Sequence, residues 1–324
     1  MVESVLRLAA GGYPKFYLIF ILVASLLIMI KSADLLLYGV TRYFKRIGLS
    51  EYIVGLVVVA AVASFPELIS SITGASLGDH GIVFGAILGS NVGGLTLILG
   101  IMALVSGKLN IQSKLFTNVR LIVFLATILP IILVSDGTLS RLDGVFLVAT
   151  YATYLFFVFR KEDGGGGLKE RVQLSKIWKD GLVFLMAFGA LLLSSRWLIF
   201  GVIELSKRLH ISSFIVSVVI LGIGAQIPDL IVILRSKASG HEDVGMGDLL
   251  GSTLTKQLLF LGLIALFVPL VIPVKLILIS AIAFSLVMGL VLLFMKSGWL
   301  DWKHGVLFLV IYCVYILLEI TLNA

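Results

Sequence analysis

Residues 32–69 read SADLLLYGVTRYFKRIGLSEYIVGLVVVAAVASFPELI, and residues 194–231 read SSRWLIFGVIELSKRLHISSFIVSVVILGIGAQIPDLI. The two stretches align without a gap at an offset of 162, half the length of the 324-residue chain. Gly39 meets Gly201, Lys45 and Arg46 meet Lys207 and Arg208, and Pro66 and Glu67 meet Pro228 and Asp229. The same offset carries Gly85 onto Gly247, Gly89 and Ser90 onto Gly251 and Ser252, and Gly100 onto Gly262. Apolar stretches often look alike, but an ungapped coincidence of glycine, proline and acidic positions marks a duplicated unit.

The unit belongs in a membrane. The chain is 60% hydrophobic and 13% charged, with a mean hydropathy of +1.15. Soluble domains carry about twice that share of charge, and no water-soluble packing hides so much apolar surface. The net charge of +7 therefore reads as membrane orientation rather than nucleic-acid binding, because the basic residues lie mostly between apolar runs. Cys313 is alone, so it forms no disulfide within the chain and suggests no thiolate metal site. The N-terminal MVESVLRLAAGGYPK lacks the short apolar core and small-residue cleavage site of a signal peptide.

A spanning helix needs about 20 apolar residues. Ten segments qualify, at about 16–41, 52–77, 82–106, 117–135, 140–159, 180–205, 212–236, 245–269, 272–295 and 304–322. The first and sixth are long enough to tilt strongly. Between the fifth and sixth, RKEDGGGGLKERVQLSKIWK (160–179) is a hydrophilic, glycine-rich hinge. The expected organisation is a first five-helix repeat over 1–162, a linker over 163–176 and a second repeat over 177–324. Five is odd, so the second copy enters from the opposite side: an all-α membrane fold of ten helices in two inverted-topology repeats, as in many secondary transporters. With the N-terminus outside, 16 of the 25 Lys and Arg fall in inward loops, 6 in outward ones, and Lys31, Arg196 and Lys256 within spans. That imbalance predicts both termini outside and the linker in the cytoplasm of a cell-membrane protein.

Ionisable groups inside hydrocarbon are costly and usually functional. Glu67 and Asp229 sit at matching positions inside the second and seventh spans, each after a proline. A mid-helix proline removes one backbone bond, which frees the carbonyls of Val62 and Gly224 beside a carboxylate. Carboxylates with freed carbonyls suit a hard cation. Ser64 and Gln226 lie three residues before these acids and share their helix faces. Ser90 and Ser252 offer matched hydroxyls in the third and eighth spans, and Asp248 adds a third acid where the first repeat has Ala86. Gly85, Gly89 and Gly93, with Gly247 and Gly251, recur at the four-residue spacing that lets helices approach closely.

Lys256 stands in the eighth span where the first repeat has Gly94. Its ammonium would offset the acids: three carboxylates and one ammonium leave −2, which one divalent ion balances. Asp34 and Arg196 occupy equivalent places in the first and sixth spans and could form a cross-repeat ion pair. The four histidines, His80, His210, His241 and His304, fall at helix ends or in loops without an HExxH spacing, which disfavours an intramembrane metalloprotease. No catalytic triad, phosphate loop or dinucleotide fingerprint accompanies them, so no enzyme and no resident cofactor are expected. A site of oxygen ligands without Cys or His points to calcium, magnesium, manganese, sodium or protons, not zinc or copper.

VASFPE (62–67) with GAILGSN (85–91), and GAQIPD (224–229) with GDLLGST (247–253), resemble the paired motifs of the calcium/cation antiporter superfamily, and among them the sodium/calcium exchanger-like membrane proteins. The resemblance extends over essentially the whole chain. It implies ten helices in two inverted repeats, and transport of Ca2+ against Na+ or H+ across the bilayer by alternating access. It further implies that Glu67 and Asp229 are central calcium ligands, with oxygens from Ser64, Ser90 and Ser252. Gln226 stands where a serine is usual, and the motif threonines are replaced by Ala63 and Ala225. Gly94 and Lys256 replace a polar and an acidic or amide side chain that help form monovalent-ion sites in sodium-coupled relatives. Lys256 then reads either as a tethered substitute for a monovalent cation or as a proton-titrating group. The divalent ion is left open between calcium, magnesium and manganese. The counter-ion is open between sodium, protons and potassium, and a passive cation channel is the reading from another class.

Overall fold

The computed structural model describes residues 15–46, 60–110, 120–161, 174–224, 226, 230 and 249–323. The described chain is helical apart from two small strand pairs. In order, the helices are α1 (Lys15–Arg46), α2 (Ala60–Ala63), α3 (Phe65–Ser76) and α4 (His80–Ser106), then α5 (Arg120–Leu133), α6 (Arg141–Lys161) and α7 (Leu174–Leu209). They continue with α8 (Ser213–Gly224), α9 (Leu249–Phe267), α10 (Val274–Ser297) and α11 (Trp302–Asn323). Seven of these, α1, α4, α6, α7, α9, α10 and α11, are long and apolar enough to cross a bilayer.

Two of the seven form the centre. The apolar windows of α4 and α9 are 94% and 83% buried, whereas that of α6 is 22% buried. The outer helices turn large side chains outward: Phe16 of α1 and Leu142 of α6 are each more than three-quarters exposed. An exterior of this kind is stable only against lipid. α4 reaches its neighbours backbone to backbone. A Cβ built on Gly85 would lie 2.5 Å from the Phe214 carbonyl oxygen of α8, and one on Gly89 would lie 2.9 Å from Val218 Cα. Nothing larger than glycine fits there, which gives the four-residue glycine spacing its physical reason.

Several contacts come in pairs separated by the sequence offset. Strand β1 (Lys108–Asn110) pairs antiparallel with β4 (Trp299–Asp301), and β2 (Thr138–Leu139) pairs with β3 (Leu270–Val271). Adding 162 to Lys108 gives Leu270, and adding it to Leu139 gives Asp301. Gly100 of α4 meets Gly305 of α11, where a Cβ would lie 3.1 Å from the Gly305 oxygen; Gly262 of α9, 162 residues on, likewise meets Gly144 of α6 at 3.1 Å, with Gly305 one residue short of the offset from Gly144. α4 and α9 each contain a π-helical stretch, Gly94–Ile98 and Thr255–Phe260.

Several sequence expectations change. The second span is not one kinked helix: α2 ends at Ala63, Ser64 turns, and α3 starts at Phe65. Pro66 is in the first turn of α3, where a missing N–H is harmless, so the proline starts a new helix rather than bending an old one. The sixth span starts at Leu174 instead of 180, inside the expected linker, whose residues 163–173 lie outside the described residues. The expected Asp34–Arg196 pair is absent: Asp34 Oδ2 lies 3.9 Å from Lys31 Nζ on the same helix face, and Arg196 is exposed. The described part of α5 is 14 residues long, and 111–119, just before it, lie outside the described residues. It contains Pro130 and continues into a 3-10 turn at Val134–Asp136. α6 opens with a capping box that hydropathy does not reveal. Ser140 N donates to Asp143 Oδ2 at 2.8 Å, and Asp143 N to Ser140 Oγ at 3.3 Å.

Candidate functional site

The break at Ser64 determines where Glu67 sits. It is the third residue of α3, so the carboxylate lies in the first turn, beside N–H groups that have no helical partner. The positive end of the helix dipole favours an anion there. Glu67 is 1% exposed and faces α4 and α9.

On α4, Ser90 is fully buried and donates its hydroxyl to the Ile87 carbonyl at 3.2 Å. Ser252 on α9 does the same to Leu249 at 3.0 Å. Both donors are spent on their own helix, so the hydroxyl lone pairs are available to a cation. Lys256 rises from the π stretch of α9. Its Nζ lies 3.2 Å from Glu67 Oε1 and 3.4 Å from Ser90 Oγ, with both charged side chains at most 2% exposed. α3, α4 and α9 thus converge on one buried charged cluster. It is one carboxylate, one ammonium and one hydroxyl, in a setting where each charge needs the other.

The second oxygen, Glu67 Oε2, finds no hydrogen-bond partner among the described residues. Neither do the side-chain amides of Asn91, Gln226 and Gln257, which are all at most 2% exposed. Buried polar groups without partners are rare and call for a reason. Gln226 has a definite seat: a Cβ on Gly94 would lie 2.8 Å from Gln226 Oε1. The absence of a side chain at 94 is what makes room for that amide. Tyr312 of α11 borders the same place, its Cε2 3.9 Å from the Cβ position of Gly93.

Of the expected site residues, Glu67 and Ser90 meet at Lys256, while Ser64, Ser252 and Gln226 are buried. Asp229 and Asp248 lie outside the described residues. Among the described residues no three of His, Cys, Asp and Glu come together. Sequence reasoning passed over Glu319 on α11, a second buried carboxylate. It accepts hydrogen bonds from Ser280 Oγ and from Asn323 Nδ2. Its signal was plain, an acid inside an apolar span. It also passed over Tyr151, whose hydroxyl meets Thr255 Oγ1 at 3.0 Å and ties α6 to the π stretch bearing Lys256.

Known proteins resemble the chain in sequence and in fold. The chain is similar to the inner membrane protein YrbG of Escherichia coli, with 27% identity across 77% of this chain and 79% of that one. It is 24% identical to the sodium/calcium exchanger MaX1 of Methanosarcina acetivorans, across 91% and 96% of the two chains. Among solved structures, the H+/Ca2+ exchanger CAX shares the fold with a TM-score of 0.74 at 17% identity, covering 99% of this chain and 90% of that one. The sodium-calcium exchanger NCX_Mj shares it at 0.65 and 22% identity, covering 93% and 97%. The model of the sodium/calcium exchanger protein family matches residues 17–160 and 180–321. With both halves matched and the membrane fold shared, the chain belongs to the sodium/calcium exchanger protein family, within the calcium/cation antiporter superfamily of membrane proteins.

Proposed function

We propose that this protein is a secondary active antiporter of the cell membrane, exchanging a hard divalent cation, Ca2+ first, for a monovalent cation by alternating access. The observation that carries the reading is the Glu67 carboxylate. It is buried between α3, α4 and α9, with one oxygen on Lys256 and the other without a partner among the described residues. A carboxylate held this way in hydrocarbon is a functional group by default. Asp229, its repeat counterpart, supplies the second charge, with Ser64, Ser90, Ser252, Gln226 and Asp248 as further oxygen donors. In this reading the protein has no catalytic role and no resident cofactor; the cations are its cargo.

The architecture that goes with this is ten helices in two inverted repeats, 1–162 and 177–324, joined by a cytoplasmic linker at 163–176, with both termini outside. The paired contacts support it: β1–β4 against β2–β3, and Gly100–Gly305 against Gly262–Gly144. Two π stretches at matching positions along the repeats support it as well. The long helices α1 and α7 pack together, with the Cβ position of Gly201 2.5 Å from Leu22 Cδ2. In this scheme they rock across the central helices and open the site to one side at a time.

Sodium is the first counter-ion, from the resemblance to sodium/calcium exchangers. A proton is the second reading, favoured by the loss of side-chain oxygens at Ala63, Ala225 and Gly94. The test is reconstitution into liposomes, with Ca2+ uptake measured under imposed sodium, potassium and pH gradients in turn. Uptake that saturates and is driven by one opposing gradient is expected. Uptake that is non-saturating and indifferent to every trans cation would make the protein a passive channel.

A further inference from the structure

We propose that Lys256 is a tethered counter-cation: its ammonium fills one monovalent-ion position at Glu67, so each divalent ion exchanges for one fewer monovalent ion than the site would otherwise need. The proposal rests on the antiporter reading and specifies its coupling.

Nζ lies between a carboxylate oxygen at 3.2 Å and a serine hydroxyl at 3.4 Å whose own proton is committed to Ile87. Those are the donors a hard monovalent cation would take, and the ammonium carries the same single charge. The contact to Glu67 is at the long end of the ordinary N–H···O range, and the one to Ser90 is longer. The four-carbon stem is flexible, and Glu67 Oε2 has no partner among the described residues to hold it. A divalent ion can therefore approach Glu67 through Oε2 while the ammonium withdraws from Oε1.

An exchanger must neutralise its carboxylates before the divalent-free form can change sides, because an unpaired charge in the bilayer interior is strongly disfavoured. Solution counter-ions normally meet that need and cross the membrane in doing so. An ammonium anchored to α9 meets it for Glu67 without being carried. A lysine serving only as a fixed structural ion pair would stay on Glu67 in every state and leave the coupling ratio unaltered.

The test is the coupling ratio in proteoliposomes, read from the monovalent gradient at which net Ca2+ flux reverses at clamped potential. Wild type gives a ratio n, Lys256→Met gives n + 1, and Lys256→Arg, which keeps the tethered charge, gives n. In Lys256→Ala, which also gives n + 1, methylammonium added at equal concentration to both sides returns the ratio to n, and it leaves wild type unchanged. Melting and size-exclusion profiles first establish that each variant is folded. An unaltered ratio in Lys256→Met, a shift to n + 1 in Lys256→Arg, or a folded Lys256→Ala whose ratio methylammonium does not return to n would each overturn the proposal. Wild type lacking Ca2+ flux under every gradient would instead sink the antiporter reading itself, so the two failures are distinguishable.

Discussion

Glu67 and Lys256 are each buried at a depth where neither is stable alone, and their energetics can be separated from transport. Removing one member of a buried ion pair typically costs about 3–5 kcal/mol, whereas replacing both by uncharged groups is often neutral. Glu67→Gln and Lys256→Met are therefore each expected to lower unfolding stability by about that amount. The double variant should recover most of the loss, as measured by thermal unfolding in detergent. A double variant that loses the sum of the two single losses would mean that the 3.2 Å contact contributes nothing. Glu67→Gln should also abolish Ca2+ transport in protein that remains folded. The sequence made the participants legible, because acids and a lysine inside apolar spans stand out. It did not show their contact, since Lys256 and Glu67 are 189 positions apart and a one-dimensional pattern does not say which helix faces meet. Glu319 escaped for a related reason. Its repeat counterpart is Phe157, so a search built on matched acids passes over it.

Among the elements, α4 depends on the absence of side chains. A Cβ at Gly85 would stand 2.5 Å from the Phe214 carbonyl, whereas one at Gly189 of α7 would meet nothing within 4 Å. Gly85→Ala is thus expected to separate α4 from α8, with loss of transport and a lowered melting temperature. Gly189→Ala should be silent or stabilising by up to about 1 kcal/mol, from helix propensity alone. Equal effects in the two variants would show that close approach is not what the α4 glycines provide. Most spans could be read from hydropathy within a few residues. Helix interruptions could not, because a window of about 20 residues averages over them. The turn at Ser64, the π stretches at Gly94–Ile98 and Thr255–Phe260, and the two strand pairs all fall below that resolution. Of these, the turn at Ser64 positions Glu67, and the stretch Thr255–Phe260 carries Lys256. Tyr151→Phe, which removes the hydroxyl meeting Thr255 at 3.0 Å, should leave the fold intact and alter transport through the π stretch. Flux kinetics identical to wild type would separate that contact from the site.

At the scale of the whole molecule, the 162-residue offset is the organising fact, and it returns in space as paired strands and paired glycine contacts. Orientation was read only from the distribution of Lys and Arg. A cysteine introduced at Gly165, in a Cys313→Ala background, should react with a membrane-impermeant maleimide only after cells are opened. Labelling of intact cells would invert the topology. The central claim is that two repeat-related carboxylates jointly hold one divalent ion in the interior of the bilayer. Equilibrium binding of radioactive Ca2+ to the purified protein tests it most directly. The account predicts one saturable site in wild type, lost in Glu67→Gln and lost again in Asp229→Asn. Wild-type binding in either single variant would contradict it.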